Sequence, residues 1–129
     1  MNPTQQQTAY ARLGGEPAVR ALVERFYELM DTLPEAQELR RLHPDMERAA
    51  DSLFKFLSGW FGGPPLYQRE RGHPRLRMRH LPFAIGPAAR DQWLLCMRRA
   101  LAEQVADEPL RTALDQAFAG MAEHMVNRA

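Results

Sequence analysis

The chain has 129 residues, with 17 basic and 16 acidic side chains and 45% hydrophobic and 9% aromatic content, the balance of one compact domain, which excludes a two-domain reading. Near-average apolar content and a net charge of +1 exclude the disordered class, which joins few apolar residues to a large net charge. Cys96 is the only cysteine, so neither an intrachain disulfide nor a multi-cysteine zinc or iron–sulfur site can form, and a reducing cytoplasm is the expected compartment.

Apolar periodicity is helical, and no run shows the period-two alternation of a half-buried strand, so the expected fold class is all-α. Residues 1–9 read as a loosely packed extension before a core of about 10–126. Their polar start has no secretory apolar region, and the longest apolar runs fall far short of the roughly 20 residues a membrane span needs. Tyr10 and Leu13 fit a short turn of helix. From Pro17 to Met30, Val19, Leu22, Val23, Phe26, Tyr27 and Met30 form one helical stripe, started by Gly14-Gly15-Glu16-Pro17, because glycine permits a sharp turn and proline suits a first helical turn.

A second stripe runs through Met46, Ala49, Ala50, Leu53, Phe54, Leu57, Trp60 and Phe61, with Asp45 as N-cap and Gly62-Gly63-Pro64-Pro65 as the stop. Periodicity is lost from Pro65 to Gly72, which reads as a loop, and Pro74 to His80 fits two turns of helix ended by Pro82. A third long helix starts at Pro87 or Ala88 and carries Trp93, Met97, Ala100, Leu101 and Gln104 or Val105. Asp107 to Pro109 restarts the chain, and the fourth long helix uses Leu110, Leu114, Ala117, Phe118, Met121 and Met125. Four such helices make one helical core.

The near-neutral total hides a local surplus. Lys55 is the only lysine, and Arg69, Arg71, Arg75, Arg77 and Arg79 fall within one short stretch. Arginine binds phosphate or carboxylate bidentately, which lysine does not. A nucleic-acid surface would need bases spread along a face with stacking or groove-reading residues, and the overall charge balance argues against it.

Most familiar chemistries lack their motifs. The histidines, His43, His73, His80 and His124, include no i, i+4 pair, and no HExxH, CxxC, GxGxxG or phosphate-loop pattern occurs. Ser52 and Ser58 sit within a helical pattern rather than a strand-to-helix elbow. His80 remains, at the end of a short helix with Leu76 one turn before it and Leu81, Pro82, Phe83 and Ile85 behind it. A histidine there is more often a surface or capping residue. It can also be the sole protein ligand of a metal that a macrocycle already holds, as in haem.

The run Gly72-His73-Pro74-Arg75-Leu76-Arg77-Met78-Arg79-His80-Leu81-Pro82-Phe83-Ala84-Ile85 closely resembles the proximal segment of the group II truncated hemoglobins. Gly14-Gly15, Phe26-Tyr27, Leu42-His43-Pro44, the run from Phe56 to Pro64, and the run from Arg90 to Met97 resemble that family in the same order. The resemblance implies a two-over-two helical sandwich around noncovalent haem b, with His80 as proximal ligand; no CxxCH motif for covalent attachment is present. It implies distal roles for Tyr27, His43 and Trp93, since phenol and indole can donate to bound dioxygen. Ala49 and Leu53 would line the ligand gate and distal face, Ala49 being too small to donate. Phe56, Leu57, Leu76, Phe83, Ile85 and Met97 would contact the cofactor. Arg79, or else Arg77 or Tyr67, would pair with a propionate, the other arginines being solvated.

The function implied is reversible binding of dioxygen and other diatomic ligands by a monomer or homodimer. The alternative is a haem-dependent oxidoreductase acting on nitric oxide, peroxide or sulfide with an external reductase, and a haem-free helical interaction module is a third class. His73 and His124 read as structural or solvent-facing, and Cys96 as a small buried apolar residue.

Overall fold

The structure, a computed structural model, describes residues 7–80, 83 and 85–127, the Arg77 side chain excepted. Among them all regular secondary structure is helical: α1 (Ala9–Leu13), α2 (Glu16–Thr32), a 3-10 turn (Pro34–Ala36), α3 (Gln37–Arg41), α4 (Met46–Trp60), α5 (Leu66–Arg71), α6 (Leu76–His80), α7 (Pro87–Gln104) and α8 (Glu108–Met125). No described helix is long and apolar enough to cross a membrane.

The four long helices follow from their stripes and caps. Gly14 and Gly15 take φ of 119° and 76° between α1 and α2, a turn that a Cβ would strain. Asp45 caps α4 by accepting from the Arg48 N–H at 3.1 Å, and Asp107 caps α8 by accepting from the Leu110 N–H at 3.1 Å, each satisfying a donor that the first helical turn leaves without a partner. Asp107 also holds Arg12 at 2.9 Å, tying α1 to the start of α8. Gly86 caps α7, whose first residue is Pro87.

The long helices stack as two pairs, α2 with α4 and α7 with α8, joined where α2 packs on α7. Val19, Leu22, Phe26 and Met30 of α2 meet Met97, Ala100 and Leu101 of α7 in a core from which solvent is excluded. Phe26 sits at the centre, its ring centroid 5.1 Å from Trp93 and 4.9 Å from Tyr27. The stripes of α4, α7 and α8 are incompletely buried. Phe54 and Leu57 enter the core, whereas Ala49, Leu53 and Phe56 stay half-exposed, as do Trp93, Met121 and Met125, because these residues face a cavity. Ala117 lies outside the core, exposed on α8.

Three features differ from or add to the sequence reading. The segment after α2 contains the 3-10 turn and α3, neither of which the periodicity marks. The expected loop over 65–72 contains α5, made helical by tertiary contacts: Tyr67 is buried, Lys55 of α4 reaches Glu70 at 2.6 Å, and Arg71 donates to the Ser52 hydroxyl at 2.6 Å. Arg71 is therefore a structural cation rather than a solvated one, while Arg69 and Arg75 are exposed. Third, α6 starts at Leu76 rather than Pro74, because Arg75 takes a left-handed φ of 47°. At the front of the chain, Thr8 caps α1 and Ala9 is helical, so order begins before the expected residue 10. Residues 1–6 and the expected stop at Pro82 lie outside the described residues.

Where α4 ends, Gly63 passes against Tyr10. A Cβ on Gly63 would lie 2.4 Å from Tyr10 Cδ2 and 2.5 Å from its Cγ, and Tyr10 cannot swing away freely because its N–H is bonded to the Phe61 carbonyl at 2.9 Å. Gly63→Ala is expected to destabilise the fold by about 1–3 kcal/mol through overpacking; thermal unfolding of the two proteins side by side checks it, and an unchanged midpoint contradicts the contact.

Candidate functional site

A cavity of about 370 Å³ opens between α2, α4, α6, α7 and α8 and the turn after α3, within the roughly 300–1,000 Å³ range of cofactor and small-molecule sites. Its wall is mainly apolar, with Leu39, Leu42, Leu53, Phe56, Ile85 and Met121 among the lining residues. Three nitrogen or oxygen groups at its edge are chemically distinctive: His80, the Tyr27–His43 pair, and Trp93. A larger outer cleft of about 730 Å³ shares Phe56, Tyr67, Leu76, Met121 and Met125 with this cavity. It includes none of those distinctive groups, so the chemistry belongs to the smaller space.

His80 ends α6. Its Nδ1 lies 2.6 Å from the Leu76 carbonyl oxygen, and a carbonyl only accepts, so Nδ1 carries the proton and the neutral ring keeps its lone pair on Nε2. That is the tautomer a metal-ligating imidazole needs, with its second nitrogen oriented by a backbone acceptor. Among the described residues no group of three His, Cys, Asp or Glu side chains is gathered for a metal.

Tyr27 projects from α2 beside His43, ring centroids 6.0 Å apart, and Trp93 approaches from α7. His43 Nδ1 donates to the Leu39 carbonyl at 2.9 Å, while Arg40 clamps the turn by donating to the His43 carbonyl at 2.7 Å and to Asp31 at 2.9 Å. Gln92, next to Trp93, accepts from the Leu39 N–H at 2.9 Å, so the histidine turn and α7 are held in register. No fully buried side-chain N or O among the described residues lacks a partner. The Tyr27 hydroxyl and Trp93 indole N–H, which no described residue hydrogen-bonds, therefore remain reachable from the cavity. Burial pushes the Tyr27 phenol well above its ordinary pKa, so it stays a protonated donor. Cys96 is buried in the core, where burial pushes its thiol up to about 11, making it inert.

The other sequence-assigned residues divide. Ala49, Leu53, Phe56, Tyr67, Leu76, Arg79, Phe83 and Ile85 all line the cavity. Leu57 and Met97 do not: both are completely buried and packed in the protein core, so their helices turn them away from the cavity. Arg79 sits at the rim, its Nε donating to the Pro74 carbonyl at 2.8 Å and its guanidinium 5.7 Å from the Tyr67 ring centroid; the Arg77 side chain lies outside the described residues. His73 serves the turn before α6, its Nδ1 accepting from the Arg75 N–H at 3.1 Å. Sequence reasoning missed Leu39, Leu42, Ser52, Ala89, Arg90, Met121, Ala122 and Met125 as wall residues. Met121 and Met125 carried a signal, an apolar stripe longer than the core needs, whereas Leu39 and Leu42 lie on a helix too short to show periodicity.

Burial chiefly lowers the His43 pKa from 6.5, opposed by its bond to the Leu39 carbonyl and reinforced by the positive charge of Arg40. The unfolded chain therefore binds this proton more readily than the fold does. Its contribution to stability is present above the ordinary histidine pKa and is lost as pH falls through the folded value. Unfolding midpoints measured at decreasing pH below about 6.5 should fall more steeply for the parent than for His43→Gln; parallel slopes would contradict this environment for His43.

Comparison with known proteins gives the site its context. Residues 8–127 match the profile described as bacterial-like globin. The chain is 39% identical over 115 residues to a group 2 truncated hemoglobin of Bacillus subtilis, covering 88% of this chain and 85% of that one. Its structure is similar to the group II 2-on-2 hemoglobin of Agrobacterium tumefaciens, with a TM-score of 0.95, 45% identity and coverage of 99% and 100%. It is also similar to a cold-adapted truncated hemoglobin of Pseudoalteromonas haloplanktis, with a TM-score of 0.93, 44% identity and coverage of 95% and 100%. With its paired helices enclosing an apolar cavity and a histidine on the short helix at that cavity's edge, the chain belongs to the bacterial-like globins, and within them to the group II truncated hemoglobins.

Proposed function

We propose that the cavity takes up haem b noncovalently, that His80 would hold its iron, and that the protein reversibly binds dioxygen and related diatomic molecules. The observation that carries this reading is the convergence on one apolar cavity of an imidazole with a free Nε2 and two donors, Tyr27 and Trp93, that no described residue uses. An apolar wall suits the porphyrin face, and Arg79 at the rim, with the buried Tyr67 beside it, suits its carboxylates. When bound, the haem iron supplies the coordination site for the diatomic ligand.

The chain's own groups then set the behaviour of that ligand. Tyr27 O–H and Trp93 Nε1–H would be the donors offered to a diatomic ligand in the cavity, and the indole can only donate. His43, tied through Nδ1, presents Nε2 on the Tyr27 side as an acceptor in its neutral form, which can orient the phenol. Ala49 contributes a methyl group where a larger residue would narrow the route past α4. A cytoplasmic setting is part of this reading, and a free, buried cysteine suits a reducing compartment.

Purified protein supplied with haem should show a Soret band that shifts on reduction and on addition of carbon monoxide, and His80→Ala should lose most of its haem on gel filtration. Full retention by the variant would remove His80 from the axial role, and a colourless parent would favour a haem-free module. A hydrogen bond to a charged partner is worth about 1.5–3 kcal/mol, so Tyr27→Phe should release dioxygen roughly 10–150-fold faster in stopped flow. An unchanged release rate would take Tyr27 out of ligand contact.

A further inference from the structure

Asn127 lies two residues past the end of α8 and does not line the cavity, yet it binds the segment that follows His80 at four points. Its Oδ1 accepts from the Ile85 N–H at 2.9 Å. Its Nδ2 donates to the carbonyls of Phe83 at 3.0 Å and His80 at 3.2 Å. Its own backbone N–H donates to the Ile85 carbonyl at 2.8 Å. Only one orientation of the amide satisfies this set, because the reverse would turn oxygen toward two carbonyl oxygens and the NH₂ toward an N–H.

The contact falls where α6 needs outside support. This helix has five residues, too few to be stable without tertiary contacts, and its last carbonyls have no intrahelical donors. The His80 carbonyl accepts from Phe83 N–H at 2.9 Å as well as from Asn127. The imidazole is held from the other side by the Leu76 carbonyl. By contrast α8 has 18 residues and is anchored through Leu110, Leu114, Phe118 and Ala122. Asn127 is thus the point at which a firmly packed helix grips the main chain of His80.

Resting on the haem site argued above, we propose that Asn127 is a positioning residue for His80: its carboxamide transmits the rigidity of α8 to the imidazole and so sets both the axial iron–histidine bond and the rate of haem loss. No substituent of the cavity is needed for this effect. A carboxylate in its place would keep the acceptor for Ile85 but set negative charge against two carbonyl oxygens, whereas alanine would remove all three side-chain bonds.

The test compares the full-length haem-loaded parent with Asn127→Ala and Asn127→Asp. Three quantities are read: the iron–histidine stretching band in resonance Raman spectra of the ferrous ligand-free form, the rate of haem transfer to excess apomyoglobin, and helicity by circular dichroism. Both variants are expected to keep the parent's helicity, to display a shifted or broadened iron–histidine band, and to lose haem roughly 10–100-fold faster, the scale on which outer partners of metal-ligating histidines act. A folded variant with the parental band and parental haem loss overturns the proposal. So does faster loss with an unmoved band, which would make Asn127 a structural tie alone. Should Asn127→Ala not fold, Asn127→Ser supplies the same comparison with a short polar side chain. A parent that takes up no haem overturns the functional reading and this proposal with it, whereas a haem-bound parent with unaffected variants overturns this proposal only.

Discussion

The packing of Phe26 against Trp93 where α2 crosses α7 is the contact on which the site depends. Phe26 is completely buried, and its ring is tilted 59° to the indole, a geometry that favours the edge of one aromatic system near the face of the other. Tyr27 follows Phe26 on α2, so its side chain is rotated by about 100° around the helix axis and leaves the core for the cavity. One interhelical contact therefore delivers a phenol from α2 and an indole from α7 to the same wall. The aromatic series continues from Trp93 to Phe118 at 5.5 Å and from Phe118 to Phe61 at 6.0 Å, joining α7 and α8 to the end of α4.

The apolar face of α4 shows how the fold divides its hydrophobic surface between itself and a ligand. Phe54 and Leu57 satisfy the protein core, and Ala49, Leu53 and Phe56 are left on the cavity wall. Burying the latter set requires a large apolar partner that the described residues do not provide. Haem, on the functional reading, supplies that surface, so its binding would stabilise the fold by mass action as well as equip it. The polar counterpart is local: Arg79 at the rim spends one nitrogen on the Pro74 carbonyl and on the functional reading would offer the others to carboxylates, while Arg71, from the same cluster, is committed to Ser52 and its acidic neighbours.

The long elements were legible because each combines a 3.6-residue apolar repeat with a physical stop. Asp45, Gly14-Gly15 and Asp107 act at the boundaries their chemistry indicates. Of the short elements, α1 and α6 were anticipated, but α3 and α5 were not, since they have five and six residues and offer less than two turns in which to establish a repeat. Their helicity comes from partners distant in sequence, such as Lys55 for α5 and Gln92 for α3. The same limit explains Leu57 and Met97: a stripe identifies the buried side of a helix, but core and cavity share that side.

The sequence alone determined the all-α class, the four principal helices and His80 as a lone candidate ligand, because composition, periodicity and functional groups are local properties, whereas Tyr27, His43 and Trp93 stood out only through the family resemblance. The ordered resemblance to group II truncated hemoglobins added the roles. Tertiary structure decided which arginine is structurally engaged, which side of α4 faces the cavity, and that Asn127 grips the His80 segment across 47 residues. Those outcomes depend on hydrogen bonds and packing between segments remote in sequence, and only the folded chain brings them together.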